Sequence, residues 1–181
     1  KILGCRGSVR LTFEVGRYIK AQWNMRGLFV APTDASPSAQ TFSSVNPVPL
    51  LAANFTVGSY SSVCEKVELD LNNSLSVVKD INAATGIRRV DITGRNPSGS
   101  FEPDAVLETT HAFWGNWNSA TAIALNIGPV GSSAGNIITI AAPKLQYRDI
   151  GYGDQDGTLK YSVQFALAMS SGDDELTITF T

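Results

Sequence analysis

The side chains able to do chemistry are few and scattered. His111 is the only histidine in 181 residues. It sits beside Phe113 and Trp114 with no second histidine or cysteine cluster at ligand spacing, so it reads as a packed or surface helix residue and no metal site can be built on it. Gly131–Gly135 spells GSSAG, a formal G-x-S-x-G match. A nucleophile elbow works only where a strand turns sharply into a helix. The β-branched run NIITIAAP follows instead, so Ser132 and Ser133 read as part of a hairpin loop. DQDG at Asp154–Gly157 resembles the front of a calcium loop, but Gln164 and Phe165 stand where the closing bidentate carboxylate should be. Asp-Gly before a long alternating run is turn chemistry. SGDDEL at Ser171–Leu176 reads as a charged hairpin tip joining the last two strands, with no cleft to split the acidities of its carboxylates. Cys5 and Cys64 are too few for a disulfide framework and read as free, reduced thiols. No catalytic residue, no cofactor-binding residue and no metal ligand is assigned, and the chain reads as not an enzyme.

Aromatic side chains offer a different chemistry. Trp23, Trp114, Trp117 and five tyrosines could stack on sugars. Trp23 falls on the apolar face of its strand and is expected in the core. In FWGNW, Trp114 and Trp117 cannot share one narrow helical stripe. A core wedge at the helix end is the first reading, a subunit contact the second and a sugar platform the third.

The elements that must position these residues are mostly strands. Apolar content is 43%, charge 17%, and glycine and proline are frequent, which favours a β-dominated globular fold. A net charge of −2 and a pI near 5.3 lack the basic footprint of a nucleic-acid binder. No stretch approaches the roughly 18 to 20 apolar residues of a membrane span.

In GSVRLTFEVGRYIKAQWNMRG (Gly7–Gly27), apolar and polar residues alternate on both sides of Gly16. A two-residue turn at Gly16-Arg17 would set Phe13 opposite Lys20 and mix the faces, which a half-buried sheet resists. A three-residue loop, Gly16 to Tyr18, pairs Phe13 with Ala21, Leu11 with Trp23, Glu14 with Lys20 and Thr12 with Gln22. The evenly charged polar face, Arg10, Thr12, Glu14, Lys20, Gln22 and Asn24, is the candidate subunit-contact face. Its charge balance points to solvent or another subunit rather than to a channel.

From Ala31 to Val63 periodicity is lost in a stretch with four prolines; connections usually run about four to six residues, so this reads as a long loop or arm. CEKVELDLNNS, LSVVKDI and IRRVDITG read as strands, and Asn96–Gly99 as a turn. EPDAVLETTHAFWGN is the one helix candidate, with Pro103 in its first turn and Gly115 at its end. TAIALNI, NIITIAA, KLQYRDI, GTLKYSVQFALAM and ELTITFT read as further strands. Leu159, Tyr161, Val163, Phe165, Leu167 and Met169 alternate over six positions, about 40 Å of strand. The expected fold is mainly β, an antiparallel sandwich or barrel with one flanking α-helix, forming one domain over residues 1–181 with 31–63 as a loop or arm within it.

GCRGSVRLTFEVGRYIKAQWNMRGLFVAP, VELDLNNSLSVVKDINAATGIRRVDITGRNPSGSFEPD and NIITIAAPKLQ with GYGDQDGTLKYSVQFALAM resemble the corresponding parts of tail tube proteins of long-tailed phages and prophages. That resemblance implies a structural virion protein with two packed sheets and a flanking helix, and no cofactor. It implies self-assembly into rings, usually hexamers, that stack into a tube, contact other tail proteins, and let DNA pass without specific binding during ejection. Assembly in the bacterial host cytoplasm, no membrane association, and arms that bind the next ring are implied as well. The opening Lys1 fits the C-terminal part of a longer subunit. The alternative reading is a carbohydrate- or receptor-binding β-sandwich of a phage tail, and a serine hydrolase through GSSAG is weaker still.

Overall fold

In the computed structural model, which describes residues 2–42 and 46–181, the chain forms β1 (Ile2–Glu14), β2 (Lys20–Phe29), β3 (Thr56–Val57), β4 (Tyr60–Ser61), β5 (Cys64–Asp70), β6 (Ser74–Lys79), β7 (Ile87–Gly94), β8 (Ser98–Pro103), α1 (Phe113–Asn118), β9 (Ile123–Val130), β10 (Ile138–Gln155), β11 (Thr158–Ala168) and β12 (Thr177–Phe180). The fold is mainly β and antiparallel, with one short helix. One sheet runs β2-β1-β5-β8-β11-β10-β9-β3-β4, with β12 also on β10, and β6 and β7 make a separate hairpin packed against β1 and β2.

Alternation explains which face goes inward. Pairing carries one row across the sheet from Ala21 through Leu11, Leu69, Gly99 and Phe165 to Tyr147. Leu11, Leu69, Phe165 and Tyr147 are buried, and they share one core with Leu125 and Ile127 of β9. Strands far apart in the sheet order share a core because the sheet curls to face itself, as a sandwich or barrel requires. Gly99 makes this packing possible. A Cβ there would come within 2.3 Å of the Glu68 carbonyl oxygen and 2.5 Å of the Phe165 ring, so only glycine lets that ring lie over β8.

The gap between the β1–β2 turn and β9 is closed by the chain around Leu50. The Gly16 amide donates to the Leu50 carbonyl at 3.0 Å, the Leu50 amide to Arg17 at 2.8 Å, and the Gly128 amide to Ala53 at 2.6 Å. This closure corrects the expected hairpin. The Arg17 amide bonds the Glu14 carbonyl at 3.1 Å, so the chain turns early and Tyr18 bridges to Pro49. Strand pairing then resumes with Thr12 opposite Lys20 and Leu11 opposite Ala21. The register is two residues from the expected one. An even shift keeps every side chain on its face, and Phe13 is not opposite Lys20.

Other expectations are corrected in the same way. Only Phe113–Asn116 of the helix candidate is helical, and the helix runs on through Gly115 to Asn118 instead of ending there; Ser98–Pro103 pairs on both sides, with β5 and β11, and that pairing outweighs its local helix signals. Ser98 and Gly99 are therefore strand rather than turn. NIITIAA and KLQYRDI merge into the single strand β10. SGDDEL is no hairpin tip, since β12 does not fold back on β11 but pairs with β10 beyond the end of β11, at Ile138–Ala141. Within 31–63, β3 and β4 form and Leu50 and Val57 are buried; residues 31–42, 46 and 47 carry no helix or strand, and 43–45 lie outside the described residues. DQDG is a two-residue turn between β10 and β11, with Asp156 at φ 53° and Gly157 at φ 81°.

Candidate functional site

The side chains opposite the core form a polar surface six strands wide. One row runs from Gln22 through Arg10, Asp70, Ser98 and Ala166 to Gln146. The next runs from Lys20 through Thr12, Glu68, Ser100 and Gln164 to Asp149. Arg10, Thr12, Glu14, Lys20, Gln22 and Asn24 all stand on this face, and the structure extends it by four strands that sequence reasoning did not connect to it. A concavity of about 600 Å³ lies in it, lined by Arg10, Glu68, Asp70, Ser98, Ser100 and Arg148 among others.

Charges of both signs are interspersed on this face. Glu68 accepts from Lys66 at 2.5 Å and from Arg10 at 3.2 Å. The Lys66 ammonium, then Arg10, hold its carboxyl below the usual range. Glu14 faces Lys66 across the β1–β5 pair and bonds Arg17 at 2.7 Å, so it does not meet Lys20 as expected. Lys20, Asp70, Arg148 and Asp149 add charges of both signs among short hydroxyl and amide side chains. Such a surface offers hydrogen bonds and little net field.

The face ends at β2, the outermost strand of its side of the sheet. Here the expectation for Trp23 fails. Trp23 is 64% exposed, Met25 49% and Phe29 72%, because they sit on the core side of the sheet but beyond the core's edge. Together with the exposed Ile2, which pairs with Phe29, they make an apolar strip along a strand whose outer backbone edge has no strand partner among the described residues. Isolated domains usually protect such edges. Alternation alone cannot separate a core face from a face left open at an edge.

The remaining candidates are structural. His111 Nε2 lies 2.8 Å from the Tyr147 hydroxyl, its ring stacks on Tyr60 at 4.8 Å and meets Phe113 edge-on at 4.5 Å. Burial lowers its pKa, with Glu108 pulling weakly the other way, and burial pushes the Tyr147 phenol up. Ser132 and Ser133 sit in the exposed loop between β9 and β10, so GSSAG has no base beside it among the described residues. Cys5 and Cys64 are both free; burial pushes the Cys64 thiol up to about 12, which makes it a poor nucleophile. Asp174 accepts the Ser170 and Ser171 amides, while Asp173 and Glu175 both pair with Arg95. Glu175 is only 7% exposed, a burial the sequence did not suggest. Trp114 packs on Tyr152 and Tyr161 and stands perpendicular to Trp117.

The model of a family described as phage tail tube proteins matches residues 1–181. Among solved structures, a chain from the virion of a native gene transfer agent particle aligns with a TM-score of 0.50 at 13% identity, covering 70% of this chain and 95% of that one. Their likeness is one of fold. A chain from the tail of an empty gene transfer agent particle with C6 symmetry aligns with a TM-score of 0.44 at 16% identity, over 68% of this chain and 89% of that one. No curated protein matches the sequence.

Proposed function

The chain belongs to the phage tail tube proteins, structural components of the virion's tail, and on that premise we propose that its polar face is the inner wall of the tube. Copies close into rings, hexamers in the reading the family resemblance supports, and the rings stack around a channel for DNA. The observation that carries this is the six-strand polar face running without interruption to the open edge at β2. A neighbour that continues the sheet at β2 pairs its free backbone edge and covers Trp23, Met25 and Phe29. Lys20, Gln22 and Asn24 then stand at the seam between copies, while Arg10, Thr12 and Glu14 stand one strand inside it.

Sequence alone set this face against the channel because it is not acidic. The whole face answers that objection. Glu68 is shared by Arg10 and Lys66, and Asp70 and Asp149 stand in the same rows, so carboxylates interspersed with the cations keep phosphates from being held and duplex can slide without specific binding. The exposed residues 31–42 serve as an arm to the next ring. The role is structural, with no catalysis and no cofactor, and assembly takes place in the host cytoplasm together with other tail proteins.

Electron microscopy of the full-length chain tests the proposal. Stacked rings with an axial channel, and the β1–β5 polar residues facing it, are the expected result. Persistent monomers at high concentration, or a channel lined by the Trp23 side of β2, would overturn it.

A further inference from the structure

Within this reading of the polar face as a wall, one element has a role that the ring geometry alone does not assign. The strand β9 leaves β10 at the pair Leu145–Ile123, so beyond Leu145 one backbone edge of β10 has no strand beside it among the described residues. The segment around α1 takes that place. Three consecutive β10 residues are tied to it: Gln146 Nε2 donates to the Ala120 carbonyl at 3.0 Å, the Tyr147 hydroxyl meets His111 Nε2 at 2.8 Å, and the Arg148 carbonyl accepts from Trp117 Nε1 at 3.0 Å.

The third tie falls at an irregularity. Tyr147 pairs with Phe165, yet Asp149 pairs with Gln164, so Arg148 is an extra residue in β10. Such a bulge bends its strand, raises the local twist and leaves the extra residue's backbone unpaired. Trp117 supplies the missing donor. The same insertion puts Arg148 into the lining of the polar concavity and lets Ile150, paired with Val163, return to the core.

We infer that Trp117 is a positioning residue of the tube wall: its indole N–H holds the β10 bulge at Arg148, and the bulge sets the curvature of the polar face and so the diameter at which rings close. This accounts for the second tryptophan of FWGNW, which is partly exposed and adds little to the core.

Two variants separate the parts. Trp117→Phe keeps a ring against Trp114 and removes only the donor. Deleting Arg148 removes the bulge while leaving Leu145, Tyr147, Ile150 and Tyr152 in strict alternation, so no side chain is forced to the wrong face. In Trp117→Phe, amide exchange at Asp149 and Ile150 should quicken roughly fivefold, the factor that about one net hydrogen bond represents, with exchange in β1 and β5 unchanged. Its tubes should vary in diameter, and the deletion variant, if folded by circular dichroism, should close at a different diameter or not close. Unchanged exchange in Trp117→Phe, or tubes of native and uniform diameter from either variant, overturns the inference. If the unaltered chain forms no tubes, the wall reading fails instead, and the exchange data alone then report whether Trp117 holds the bulge.

Discussion

At the scale of single residues, the one histidine links acidity to folding. His111 is held by the Tyr147 hydroxyl and by the rings of Tyr60 and Phe113, and burial favours its neutral form. Its folded pKa therefore lies below the unfolded value of about 6.5. The stability it contributes is complete above that value and is lost as pH falls through the folded pKa, because the unfolded chain takes up the proton first. Thermal melts of the isolated chain should show midpoints that fall from pH 7 towards pH 5, and His111→Gln should flatten that part of the curve. Equal slopes in the two proteins would mean that another group dominates. Glu68 acts on a separate, more acidic window, since its pairs with Lys66 and Arg10 lower its pKa and their contribution fades only below about pH 4.

At the scale of elements, alternation was legible wherever strands have neighbours on both sides. Val9, Leu11 and Phe13 are buried, as are Tyr161, Val163, Phe165 and Leu167, and the Asp-Gly turn falls where turn chemistry puts it. The helix was legible as one element but not in its start, because Pro103 and its flanking carboxylates suit a helix start while their strand partners lie tens of residues away. The bulge left a trace that only the pairing makes plain: Leu145, Tyr147, Ile150 and Tyr152 are spaced two, three and two residues apart. The exposed side of β2 left none, since Trp23 and Met25 alternate as core residues do. That strip yields a prediction. Trp23→Lys with Phe29→Lys should change the melting free energy of the isolated chain by no more than about 0.5 kcal/mol, as is usual for exposed sites. The same pair should abolish tube formation, because charge on an edge strand blocks pairing with a neighbour. Light scattering and chemical melts report the two effects independently, and tubes from the double variant would remove β2 from the interface.

At the scale of the whole molecule, the question is which of the sheet's two faces DNA meets. The polar face carries interspersed charges of both signs with little net charge, so adding cations to it is a sensitive probe. Ser100 and Gln164 face each other on β8 and β11 near the middle of the six-strand row, away from the β2 edge. Ser100→Arg with Gln164→Arg should therefore leave folding and ring closure intact. If this face is the wall, tubes of the variant should retain short duplex DNA that unaltered tubes release. That DNA should resist nuclease, being enclosed, and its retention should weaken with salt, with a log–log slope of about −0.9 for each phosphate neutralised. DNA that binds the variant tubes but stays open to nuclease would place the polar face on the outside. The inner surface would then have to be made by another part of the chain, and the pairing of Glu68 with Arg10 and Lys66 would serve the seam or the solvent-facing surface instead.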